Sequence, residues 1–272
     1  QDAGISGATA RSYLSAVAYN NRLYISGGQT NGSPGGTNTL EMADITPMGT
    51  LSSWTSTGMR TLPNNRFGHS LHVYNDTMYI IGGNNNGTLL NTVYFSHLNN
   101  NGTMNDWVQT NSFVGARASM GGAMTTVWGG YIYLAGGCIA VNASGHCTNI
   151  PTDPQLGVQL ASINADGSLA PWNPISNLSN SRIGYQLVAW QGGLYRLAGC
   201  QAQNPTTGEC ASTLDTAEYG QINQDGDAST VNNSSAWSAG YVAGNTCSGY
   251  PSGDPNLKNC DLPPPGDNAG QG

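Results

Sequence analysis

The sequence predicts an all-β architecture of repeated four-stranded antiparallel units, and three observations lead there. One motif recurs in four phased copies along the 272 residues. Glycine and asparagine are abundant, at 38 and 30 residues, and they gather where strands end and hairpins turn. Only 8% of residues are charged, so the long salt-bridged helices of a bundle have no material from which to form. Four-stranded units of this size, arranged radially around an axis, make a β-propeller.

The units open at Arg11, Arg66, Arg117 and Arg182, with spacings of 55, 51 and 65 residues. An aromatic residue follows at Tyr19, Tyr74, Trp128 and Trp190, and a tyrosine lies five residues further on, at Tyr24, Tyr79, Tyr133 and Tyr195. Three residues later comes a small pair: Gly27-Gly28, Gly82-Gly83, Gly136-Gly137 and Ala198-Gly199. Apolar Ile45, Leu98, Ile163 and Ile222 each precede a glycine by four positions, and Trp54, Trp107 and Trp172 stand nine positions after the apolar residue. In the fourth unit the tryptophan is displaced to Trp237, consistent with a six-residue insertion after a Gly-Asp turn.

Each unit reads as strands a to d. Strand a is typified by Ser70 to Tyr74, with a tight Asn75-Asp76 turn, and strand b is the apolar run ending in the small pair. Strand c is typified by Thr92 to Leu98, and strand d opens at the tryptophan. A glycine pair suits strand ends that crowd toward an axis, where a Cβ would block backbone approach. The expected units are 1–65, 66–116, 117–181 and 182–237, followed by a disulfide-closed connection over 238–272, all in one propeller domain. About four blades are present, and the absence of a fifth phased motif predicts an arc of a larger propeller.

The Arg opening, the Tyr-x-x-Gly-Gly run and the downstream Gly-x-Leu-x-x-Trp resemble kelch repeats over Arg11 to Trp237. That resemblance implies a propeller but no particular activity, because such repeats host unrelated functions. The departures are Ala198, the extra residues between Arg117 and Trp128, and the displaced Trp237.

Six cysteines form three local pairs by spacing: Cys138 with Cys147, Cys200 with Cys210, and Cys247 with Cys260. Zinc is the competing reading, but no Cys-x-x-Cys spacing occurs. Local disulfides predict an oxidising compartment, and hence a secreted or cell-surface protein. Alternating strand directions put the b-to-c segments on the same face as the d-to-a connections. These are the long segments, near 29–38, 84–90, 138–156 and 200–214, plus 238–261. All three pairs fall on that face, which is therefore the expected ligand face, with Tyr241 and Tyr250 as candidate contacts. Eight Asn-x-Ser/Thr matches, at Asn31, Asn75, Asn86, Asn101, Asn142, Asn177, Asn232 and Asn233, are candidate glycosylation sites in a eukaryotic secretory route.

Several function classes are excluded or weakened. Eight Lys and Arg against fifteen acids leave a net charge of -7, which offers no surface for a phosphate backbone, so nucleic acid is not an expected partner. No apolar run approaches the roughly 20 residues of a membrane-spanning helix. Residue 1 is Gln and no export leader is present, which predicts a processed or partial chain. His69 and His72 stand three apart on one strand and so face opposite ways, a poor arrangement for sharing a metal. The four repeated Arg residues and the tryptophans are assigned structural roles, one per blade. No catalytic residue, metal ligand or cofactor is expected. The predicted function is an extracellular binding, adhesion or filament module that takes a protein or glycan ligand or copies of itself. A secreted carbohydrate-active or copper-oxidase-type propeller, with its catalytic groups outside this chain, is the alternative.

Overall fold

A computed structural model describes residues 8–33, 35–118, 124–142, 146–149, 157–176, 182–222 and 238–242. Four antiparallel sheets are arranged as the blades of a β-propeller, and no helix occurs among these residues. Blade 1 holds β1 (Ser15–Tyr19), β2 (Arg22–Ser26) and β3 (Leu40–Asp44), with an isolated Met42 to Thr55 bridge where a fourth strand would run. Blade 2 holds β4 (Ser70–Tyr74), β5 (Thr77–Asn85), β6 (Thr88–His97) and β7 (Val108–Thr110). Blade 3 holds β8 (Thr125–Trp128), β9 (Tyr131–Ala135), β12 (Val158–Ser162) and β13 (Asn173–Ser176). A small hairpin of β10 (Ala140–Val141) and β11 (Cys147–Asn149) is inserted between its middle strands. Blade 4 holds β14 (Gln186–Trp190), β15 (Gly193–Gln203), β16 (Cys210–Gln221) and β17 (Ser238–Val242).

Turn chemistry accounts for the hairpins. All four a-to-b turns place two consecutive residues at positive φ: Asn20-Asn21, Asn75-Asp76, Gly129-Gly130 and Gln191-Gly192. That is the signature of the two-residue turn whose twist matches the flanking strands. The c-to-d turns repeat as well, with Gly49, Gly102 and Gly167 at φ near 80° (78, 83 and 83) and each donating its amide to the carbonyl three residues back.

Two expected segments differ. Residues 84–90 and 200–214, read as loops, largely continue the ladders of β5 with β6 and β15 with β16. The first closes in a tight Asn86-Gly87 turn with φ of 48° and 87°. Ser238–Val242, expected to begin the terminal connection, is instead the outer strand of blade 4 and pairs with β16. β7, β13 and β17 open at Val108, Asn173 and Ser238, each one position after a repeated tryptophan in the sequence.

The core lies between blades. Tyr24 and Leu40 of blade 1 pack with Leu71, Met78 and Ile80 of blade 2. Tyr79, Ile81, Val93 and Phe95 of blade 2 meet Ile132, Leu134, Ala161 and Trp172 of blade 3. Tyr133, Ala135 and Val158 of blade 3 meet Tyr185, Leu187 and Leu194 of blade 4. Innermost strands pack in sequence, β1 on β4, β4 on β8 and β8 on β14, and no comparable packing joins β14 to β1 among the described residues.

Candidate functional site

The four repeated arginines do the same thing in every blade. Nη1 of Arg11, Arg66, Arg117 and Arg182 donates to the carbonyl of Gly27, Gly82, Gly136 and Ala198, at 3.2, 3.1, 2.9 and 3.0 Å. The residue after each arginine bridges the residue after each small pair: Ser12 with Gln29, Phe67 with Asn84, Ala118 with Cys138, and Ile183 with Cys200. Arg66 and Arg117 also accept, through their own carbonyls, the amides of Gly28 and Gly83 in the preceding blade, at 2.9 and 3.0 Å. A Cβ on Gly82 would stand 2.9 Å from the Arg117 carbonyl, so the glycine is required by backbone crowding as well as by its φ of 62°.

The remaining guanidinium nitrogens are served differently in each blade, in three of the four from a register position the repeat does not conserve in kind. It lies four residues before the repeated apolar residue and is occupied by Glu41, Tyr94, Gln159 and Glu218. Glu41 takes Nη2 of Arg11 at 2.5 Å. Glu218 takes Nη2 of Arg182 at 3.0 Å and also pairs with Arg196. Tyr94 offers only its ring face to Arg66, 5.5 Å from guanidinium carbon to centroid. Nε and Nη2 of Arg66 are buried with no hydrogen-bond partner, and burial lowers its pKa to about 10. Arg117 turns to the carbonyls of Gly115 and Val114 at 3.0 and 2.6 Å, while Gln159 bonds to the Val114 backbone. Burial lowers the Arg117 pKa to about 10 as well. Beside them the Tyr185 hydroxyl is buried without a partner, and burial raises its pKa to about 12.

The histidines connect blades. His69 Nε2 lies 2.7 Å from Ser26 Oγ of blade 1, and His72 Nε2 lies 2.7 Å from Thr125 Oγ1 of blade 3. Burial lowers the first to about 3, with Arg66 adding to the effect, and the second to about 4, so both rings are neutral near pH 7. Among the described residues no three His, Cys, Asp or Glu side chains come together as a metal site. Trp172 packs edge-on to Phe113 of blade 2 and donates Nε1 to the Asn111 carbonyl at 2.9 Å. Trp107 lies half-buried against the core between blades 1 and 2, and Nε1 of Trp54 is buried without a partner. None of these three rings forms an open stacking ladder.

Among the described residues two disulfides occur, Cys138–Cys147 and Cys200–Cys210, with Cα atoms 5.8 and 5.6 Å apart. They occupy corresponding places, since Cys138 and Cys200 each follow the small pair of their blade. The stapled segments also bind each other. Cys147 N donates to Gln203 Oε1 at 2.5 Å, and Asn142 Nδ2 donates to the Pro205 carbonyl at 2.5 Å. His146 Nδ1 lies 3.1 Å from that same carbonyl. The result is a double, cross-braced projection on the b-to-c face. Asn142 is one of the candidate glycosylation sites, and its amide nitrogen is engaged in this brace. On the opposite face, a polar groove of about 560 Å³ is lined by Asn20, Asn21, Arg22, Asp44, Ile45 and Asn100. The pair Cys247 and Cys260, together with Tyr250, Asn177, Asn232, Asn233 and Trp237, lies outside the described residues, and Tyr241 falls on β17.

No curated protein matches the chain in sequence. The Kelch motif matches residues 65–94, which span the Arg66 opening, the Gly82-Gly83 pair and most of β6. Among solved structures the chain is similar to YjhT, at 12% identity and a TM-score of 0.58, over 87% of this chain and 67% of that one. With the arginine, small pair and tryptophan recurring in phase on four-stranded blades, the chain is a β-propeller whose residues 65–94 match the Kelch motif.

Proposed function

We propose that the chain is the binding module of an extracellular kelch-type propeller and engages its partner through the cross-braced b-to-c projection of blades 3 and 4. The kelch propeller fold supports a protein-binding or structural module. The observation that carries the finer reading is the mutual bracing of two disulfide-closed segments in adjacent blades. Isolated staples would serve to stop fraying; staples that also fix two neighbouring projections relative to each other build a rigid recognition surface, which lowers the ordering cost of binding. Two disulfides suit an oxidising compartment. The partner is a protein, a glycan or another copy of the chain, met through amides and hydroxyls rather than charge.

Site-specific photo-crosslinking tests this. A photoreactive residue at exposed Thr206, beside the brace, should yield adducts with an extracellular partner. The same group at exposed Asn100, on the opposite face, should yield few. Adducts confined to Asn100, or equal at both, would reject the assignment.

A further inference from the structure

The opening arginines of blades 1 and 2 stand among matching positions, and the two blades fill those positions differently. In blade 1, Arg11 Nη1 donates to the Thr39 hydroxyl as well as to the Gly27 carbonyl, and Nε donates to the Thr9 carbonyl at 3.1 Å. Nη2 meets Glu41 Oε2 at 2.5 Å. Every guanidinium nitrogen of Arg11 therefore has an acceptor, and a carboxylate balances its charge.

In blade 2 the places of Thr39 and Glu41 are taken by Thr92 and Tyr94, which stand six and four residues before Leu98 as the first pair stands before Ile45. The sheet register agrees, because Glu41 lies opposite Ile25 and Tyr94 opposite Ile80. Arg66 Nη1 keeps its carbonyl, but Nε and Nη2 are buried without a hydrogen-bond partner, and so is the Thr92 hydroxyl. Tyr94 brings a ring face where Glu41 brings a carboxylate. Arg66 is 0% exposed and forms no ion pair among the described residues. A guanidinium taken out of water this way is costly unless an opposite charge and acceptors meet it. Blade 3 solves the problem with its backbone, since Arg117 Nε and Nη2 reach the carbonyls of Gly115 and Val114.

We infer that Arg66 and Thr92, beside the Tyr94 ring, form a binding site for one small monovalent anion of halide size, at the place that the Glu41 carboxylate takes in blade 1. The anion accepts hydrogen bonds from Arg66 Nε and Nη2 and from the Thr92 hydroxyl, and its charge offsets that of the guanidinium. All three donor atoms are buried. That enclosure suits an ion with a single spherical surface to solvate, and it disfavours phosphate or sulfate, whose several oxygens would each need a donor. The site belongs to blade 2 and does not depend on the projection carried by blades 3 and 4.

Bromide, which anomalous scattering identifies, is the probe. In crystals of the intact protein saturated with bromide, an anomalous peak should lie within hydrogen-bonding reach of Arg66 Nε and Nη2 and of Thr92 Oγ1. In solution, bromide replacing gluconate at constant ionic strength should raise the thermal midpoint saturably, by about 3 °C at ten times its half-saturating concentration. Thr92→Val keeps the guanidinium and should raise that half-saturating concentration about fivefold. Tyr94→Glu gives Arg66 the carboxylate that blade 1 has and should abolish the bromide response. Water alone at Arg66 in saturating bromide would overturn the inference. Peaks confined to the surface would do the same, since they show an adventitious ion only. An equal bromide response in the wild type and in either variant would also reject the site, because it marks a general salt effect.

Discussion

Blades 2 and 4 open with the same residue in the same backbone embrace and then part company. Arg66 and Arg182 each hold the carbonyl that begins the small pair, at 3.1 and 3.0 Å. Arg182 then shares Glu218 with Arg196, so one carboxylate pairs with two fully buried guanidiniums. Arg66 has no carboxylate and rests against the Tyr94 ring. The blades also close their b-to-c ladders differently, one with the Asn86-Gly87 turn and the other with Cys200–Cys210. Their strand-a positions differ too, with His69 and His72 in blade 2 where blade 4 has Tyr185 and Val188. The repeat thus specifies backbone contacts, while each blade neutralises its buried charge by whatever its neighbours supply.

The sharpest break in this comparison comes from Glu218. Glu218→Gln removes the carboxylate that Arg182 and Arg196 share in a buried site and should cost roughly 3–5 kcal/mol in chemical denaturation. Tyr94→Leu removes only a ring face from Arg66 and should cost about 1–2 kcal/mol. Equal losses would mean that the two guanidiniums are not held in different ways. Arg196→Leu sharpens the point, because the corresponding residues Ile25, Ile80 and Leu134 are aliphatic. It leaves Arg182 paired with Glu218 and should be neutral or stabilising.

The next effect separates the two hairpins. Replacing Cys200 and Cys210 by Ser removes a closure over a separation of 10 residues and should cost roughly 2–3 kcal/mol by loop entropy. The same double substitution at Cys138 and Cys147 should cost a similar amount. If the cross-brace couples the staples, removing both costs measurably more than the sum. Additive losses would show that the segments are braced independently.

How much of this was legible in the sequence follows from what repeats. The arginines, small pairs and turn residues serve backbone geometry that every blade shares, so they recur as letters and are read directly. Glu41, Tyr94 and Glu218, which face the arginines, and Gln159, which holds the Val114 backbone beside Arg117, share a register position but not a chemistry, so no repeated letter announces them. Counting back four residues from Ile45, Leu98, Ile163 and Ile222 would have found the set. The strand ends beyond the small pairs were read as loops because Asn, Gly and Thr there carry no alternation of burial. Their pairing comes from ladders that run on past the core.

A pH titration tests the histidines that distinguish blade 2. His69 and His72 have folded pKa values lowered to about 3 and about 4, below the ordinary 6.5. Their neutral burial therefore contributes fully above pH 6.5, and the contribution is lost as pH falls from there toward 4, because the unfolded chain takes up protons that the folded one refuses. Each should forfeit roughly 2 kcal/mol between pH 7 and pH 5. His72→Gln, which can keep a hydrogen bond to Thr125, should flatten that slope by about half. An unchanged slope would assign the acid sensitivity elsewhere.

The smallest expected effect belongs to the one departure from the small pair. Ala198 sits at φ 54°, where the other blades have Gly27, Gly82 and Gly136 at 56°, 62° and 50°. The left-handed conformation costs an L-residue with a Cβ on the order of 1 kcal/mol more than glycine. Ala198 is exposed, so its methyl group contributes little packing to offset that cost. Ala198→Gly should therefore stabilise the protein by about 1 kcal/mol, with the Arg182 hydrogen bond to that carbonyl unchanged. A loss of stability would mean that blade 4 benefits from the methyl group.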